Sequence, residues 1–236
     1  MIIRTSGSAL ICITQPDHAR LAAELMARWR ALDDHPRRAA VLHAIRDHDN
    51  GWIEEDAATH VDANGSPLEF VAVPASVKQR IWPRAVSRLE QADPYVAALV
   101  AQHALTIHAP MRRERSWASF FGVIAARRDE LAARAGGTAT LDDDYRWVRS
   151  ADLLSLIFCN GWRDGFDLPV GARAALTGGT LELAPDPFAG APVPLTVPAR
   201  RVEARTYASA DAFRAALDAA PLEPVEGQAI GMVAAR

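Results

Sequence analysis

Lysine is almost missing from this 236-residue sequence: of its 26 basic residues only Lys78 is lysine. An anion held by this protein is therefore expected to meet guanidinium groups, whose planar forks match phosphate and carboxylate oxygens. Cysteine is also scarce. Cys12 and Cys159 lie in apolar surroundings ("ALICIT", "SLIFCNGW"), which excludes a disulfide framework and suits buried free thiols in a reducing compartment. No apolar run approaches the ~20 residues needed to cross a bilayer. The opening "MIIRTSGSALICITQPDH" carries Arg4 but no stretch with the length of a signal sequence. A formal net charge of −3 gives no basic excess for nucleic acid, and no block of like charge marks a disordered tail. These absences leave a soluble cytoplasmic protein with no nucleic-acid or membrane partner. They leave the oligomeric state unknown.

What is present is apolar and helical. Half of the residues are apolar. Residues 2–4 and 9–13 are short and β-prone, with a Ser-Gly turn between them. Thr14 then opens a helix, with Asp17 three residues on and Pro16 in the first turn. Further helices are expected over residues 37–50, 76–91, 94–108, 113–135 and 142–160, with a long loop over 53–75. The second half of the 142–160 helix, "ADLLSLIFC", is apolar almost all round, as in a helix at the middle of a domain. After Gly161 prolines and strand-like runs take over ("TLELAP", "VPLTVPA", "RRVEARTY"). The expected fold class is mainly α. A helical domain over residues 1–164 would carry a small β-rich appendage, built from the amino-terminal strands and residues 165–236.

Three of these helices turn polar groups inward. In "LHAIRDHDNGW", Asp49 lies seven residues after Leu42 on the apolar stripe, and His48 flanks that stripe. His18 shares a face with Leu21, Ala22 and Leu25. Asp152 is the only charge in the apolar half of its helix. An ionised carboxylate buried without a partner is costly, and the usual remedies are a paired cation or a metal. Two imidazoles and two carboxylates form a plausible set of ligands for a divalent transition metal.

The ordered segments "QPDHARLA", "AIRDHDNGW" and "SADLLSLIF" resemble the HD superfamily, and together they resemble a bacterial family of about this length within or near it. The resemblance covers roughly residues 10–165. It implies an HD-like helical bundle in which His18, His48, Asp49 and Asp152 bind manganese, iron or zinc, with magnesium possible. It also implies hydrolysis of a phosphate ester or nucleotide-like small molecule, with Asp49 orienting the nucleophilic water. His103 lies in the interval where relatives with two metals place extra histidines, and it is a candidate to protonate or orient the leaving group. His108 is an outside candidate, five residues later. One departure stands out: where many members have lysine after His-Asp-x-Gly, this chain has Trp52. Trp52 and Trp162 each follow an Asn-Gly step and are candidate walls of a pocket. Arg112 and Arg113 are candidate phosphate contacts, with a solvated helix start as the competing reading. Two other functions fit the same residues: a two-iron oxygenase, and a non-catalytic module that binds metal or a small molecule.

Overall fold

The computed structural model describes residues 1–232. The chain opens with a hairpin of β1 (Ile2–Ser6) and β2 (Ala9–Ile13), turned through Gly7 at a φ of 61°. Thr14 caps α1 (Gln15–Met26), its hydroxyl accepting from the Asp17 amide at 3.2 Å. Next comes α2 (Arg38–Asp47), which ends just before the His-Asp pair. A 3-10 turn over Asn50–Trp52 leads into the short α3 (Ile53–Ala58). The remaining helices of this half are α4 (Ala75–Leu89), α5 (Pro94–Ile107), α6 (Ala118–Arg134) and α7 (Leu141–Asn160). Asp93 caps α5, taking the amides of Tyr95 and Val96 at 2.9 and 3.1 Å. The run Tyr95–Ala101 is buried without a break, so α5 lies inside the helical layer.

The expectation of a mainly helical bundle with a small β appendage is overturned by the sheet. The later strands are β3 (Phe166–Asp167), β4 (Arg173–Thr177), β5 (Thr180–Ala184), β6 (Val193–Glu203) and β7 (Leu222–Gly231), with α8 (Ala210–Ala219) before the last. All seven strands form one curled mixed sheet in the order β1-β2-β6-β7-β5-β4-β3. Only the β5–β7 pairing is parallel.

The sheet is a full layer of the molecule, and the reason is its apolar face. Val193, Leu195, Val197 and Ala199 of β6 are buried, while Pro194, Thr196 and Pro198 between them are exposed. Leu181 and Leu183 of β5 alternate in the same way. These side chains belong to the same buried cluster as the helices. A sheet with one apolar face needs a second layer to cover it. Here α1 packs on β6, and α7 packs on β1 and β4, so these two helices join the layers. Among the described residues, no helix is long and apolar enough to cross a membrane.

Candidate metal centre

Four elements converge at one point inside the helical layer. The first turn of α1 supplies His18, the end of α2 supplies His48 and Asp49, α5 supplies His103, and α7 supplies Asp152. His18, His48 and His103 are at most 2% exposed, and Asp49 is 5% exposed. One ligating atom each from His18, His48 and Asp152 lie within 4.8 Å of one another. Asp49 Oδ2 stands 2.7 Å from His18 Nε2 and 3.5 Å from His48 Nε2. Asp152 Oδ1 is also 3.5 Å from His48 Nε2, and its Oδ2 is 3.8 Å from His103 Nε2.

The hydrogen bonds around the rings decide which nitrogens face the centre with a lone pair. His48 Nδ1 donates to the Ile45 carbonyl at 2.7 Å, the backward bond open to a residue at a helix end. In the neutral ring that leaves Nε2 as an acceptor, and this buried atom has no hydrogen-bond partner. His18 follows the same logic. Ser155 donates its hydroxyl proton to the Asp152 carbonyl at 2.9 Å, so its oxygen accepts from His18 Nδ1 at 2.8 Å. His18 Nε2 stands 2.7 Å from Asp49 Oδ2 and, with no ion between them, donates to that carboxylate; once that proton is lost, its lone pair faces the centre. Two imidazole lone pairs and two carboxylates pointing at a common centre need positive charge between them. A divalent ion fits this donor set, since imidazole and carboxylate together suit zinc, iron and manganese.

Without an ion, a proton on His48 supplies that positive charge. Burial works against a charge on His48, but the Asp49 and Asp152 carboxylates outweigh it and lift its pKa to about 9. Burial also disfavours charge on Asp49 and Asp152. The neighbouring histidines prevail, His48 foremost for both, and hold the two carboxyls below the usual carboxylate range. His103 goes the other way: burial pushes it down to about 4. Its Nδ1 meets the Tyr145 hydroxyl at 3.3 Å, and its ring packs edge-on against His48 and Trp82.

This cluster forms the floor of a cavity of about 350 Å³. His18, Asp49, His103, Asp152 and both Asn-Gly-Trp tryptophans, Trp52 and Trp162, line it. His108 lines it as well, with Nε2 accepting from the Trp82 indole N–H at 2.8 Å. Arg112 and Arg113 do not reach it. Both are exposed, and the Arg112 guanidinium lies 4.8 Å over the Phe121 ring instead. The structure adds residues that sequence reading missed. Ser155 orients His18, and its spacing of three from Asp152 on one helix was the available signal. Gln15 lines the cavity with a buried Oε1 that has no donor. Lys78 lines it from α4. A larger hollow of about 430 Å³ lies between α1, α3, β6 and α8, away from the cluster. Two of its arginines, Arg20 and Arg214, are already paired with Asp17 and Asp211.

A family model described as a protein of unknown function, DUF3891, matches residues 1–204, a span that contains every residue of the cluster. The chain belongs to the DUF3891 family. No curated protein and no solved structure matches it significantly.

Proposed function

We propose that this DUF3891 chain is a metal-dependent hydrolase of the HD type, acting on a small phosphate ester in the cavity above the cluster. The observation that carries this reading is the unpartnered, buried His48 Nε2, aimed between two carboxylates with His18 Nε2 beside it. His18, His48, Asp49 and Asp152 would hold one divalent ion. Bound there, such an ion supplies Lewis-acid chemistry: it polarises a phosphoryl oxygen and lowers the pKa of water. Asp49 orients the attacking water, and His103, next to Asp152, orients the leaving group. The apolar walls keep bulk water from the reacting bond. The two free thiols are buried, which supports action in a reducing compartment, the cytoplasm.

One ion is favoured over two because a second would need His108 beside His103, and His108 Nε2 already accepts from Trp82. The test is metal content by mass spectrometry after growth with manganese, iron or zinc. Wild type should carry about one ion per chain, and Asp49→Ala and Asp152→Ala, checked for folding by circular dichroism, should lose it. The loaded wild type should then hydrolyse members of a phosphate-ester panel. Wild-type protein that purifies without stoichiometric metal refutes the reading.

A further inference from the structure

The cavity contains one cation, and it is the only lysine of the chain. The other basic groups of α4 are all committed: Arg80, Arg84 and Arg88 pair with Glu54 and Glu55. Lys78, on the same helix, forms no ion pair among the described residues. It lines the cavity and donates to the Val71 carbonyl at 2.6 Å. An ammonium has three donors, so two remain for a ligand. Apart from the cluster, Gln15 and His108, the rest of the wall is apolar. Trp82 and Trp52 line the interior with Phe70 and Leu156, and the apolar wall extends to two large hydrophobic residues left exposed, Val71 at 54% and Trp162 at 38%.

We propose that this cavity selects a small organic anion with a bulky apolar body: the anionic group sits on the Lys78 ammonium, and the body packs against Trp82, Trp52 and Trp162. For the reacting bond this rests on the hydrolase reading above. For binding it rests on the cavity alone. Charge supports a compact anion. A divalent ion would offset Asp49 and Asp152, leaving Lys78 as the one unbalanced charge. Arg112 and Arg113, turned away, offer a polyphosphate nothing further. A cavity of about 350 Å³ sits at the small end of ligand sites, which suits a body of one or two rings. Lys78 also takes over the task expected of guanidinium: it is the cation placed to meet the ligand, although Trp52 stands where HD relatives carry lysine.

The experiment is titration calorimetry on the full chain, with and without manganese. The ligands are 1-naphthylmethylphosphonate, 1-naphthylacetate, methylphosphonate and neutral 1-naphthylmethanol. The naphthyl phosphonate should bind at least about tenfold tighter than methylphosphonate, since burying rings on aromatic walls is favourable. Lys78→Met should weaken both naphthyl anions about tenfold and leave naphthylmethanol unchanged, while Lys78→Arg stays within about threefold of wild type. Trp162→Ala should weaken the naphthyl ligands and spare methylphosphonate. Phosphonate preferred over acetate identifies a phosphate ester as the source of the anion; the reverse order identifies a carboxylate. Equal binding of methylphosphonate and the naphthyl phosphonate, or no loss in Lys78→Met, overturns the proposal. A wild type without metal whose anion binding still depends on Lys78 would remove the hydrolase reading and keep this one.

Discussion

Replacing glycine by alanine at two positions should give opposite signs, and the structure says why. Gly51 follows the His-Asp pair in the 3-10 turn that packs on α4. A Cβ there would overlap the Ile81 carbonyl oxygen, lie 2.9 Å from the Ile81 carbonyl carbon, and lie 3.2 Å from the Ala85 Cβ. The obstacle is helix backbone, so no rotamer change relieves it. The turn has to move by on the order of 1 Å, which also strains the bond from Arg84 Nη1 to the Gly51 carbonyl at 3.0 Å. Overpacking of this kind costs roughly 1–3 kcal/mol and sometimes more. Gly122 is the control. It is exposed inside α6, and a Cβ there meets nothing within 4 Å. Gly122→Ala should therefore stabilise by about 0.5–1 kcal/mol through reduced backbone entropy in the unfolded chain. Urea unfolding of metal-free protein measures both. Gly51→Ala should lose about 1–3 kcal/mol, and because the turn carries Asp49, its metal affinity should fall about 10–100-fold. A Gly51→Ala protein within about 0.5 kcal/mol of wild type would show that the turn is not wedged against α4, and the reasoning would fail.

Three further outcomes are expected. Asp93→Ala removes the acceptor for two amides at the start of α5 and should cost about 1 kcal/mol in urea unfolding, with no change in metal content. Burial foremost, then the nearby Lys78 and His103, hold His108 at about 4, below its ordinary 6.5, so the folded chain prefers it uncharged. The unfolded chain then takes the proton first as pH falls; this contribution is intact above pH 6.5 and is lost as the pH drops toward 4. His108→Gln should thus shrink the loss of stability between pH 7 and pH 5 by about 1–2 kcal/mol, read from urea curves at the two pH values. Stripping metal with a chelator should lower the melting temperature by roughly 5–10 °C if the ion was held at about 100 times its dissociation constant, and Asp152→Ala should show no such shift.

The helices and the cluster were legible because their signals are local. Thr14 and Asp17 mark the start of α1 within four residues, and the inward phase of His48, Asp49 and Asp152 follows from helical spacing alone. The sheet was not legible. Its strands are short, and their partners lie far along the chain: Cys12 of β2 is in register with Arg200 of β6. Pro194 and Pro198 also argue against an interior strand. They are tolerated because β2 pairs only with residues 200–203, leaving that side of β6 without a ladder where the prolines fall. The cavity wall was hidden for a related reason. Lys78 meets the cluster only through tertiary packing, and nothing near it in sequence points there; Gln15 stands three residues before His18 on α1, and that spacing was the available signal. Arg112 and Arg113 carried the right chemistry on the wrong face, since they close a surface 3-10 turn, with Arg112 over Phe121.

The position of β7 has a consequence for biosynthesis. It is the last of the described strands in sequence, yet it lies in the middle of the sheet, between the half that carries β1, β2 and β6 and the half that carries β3, β4 and β5. Until residues 222–231 leave the ribosome, the two halves have no hydrogen-bonded seam. The nascent chain would meanwhile expose facing edges on β5 and β6, each open to pairing with another chain.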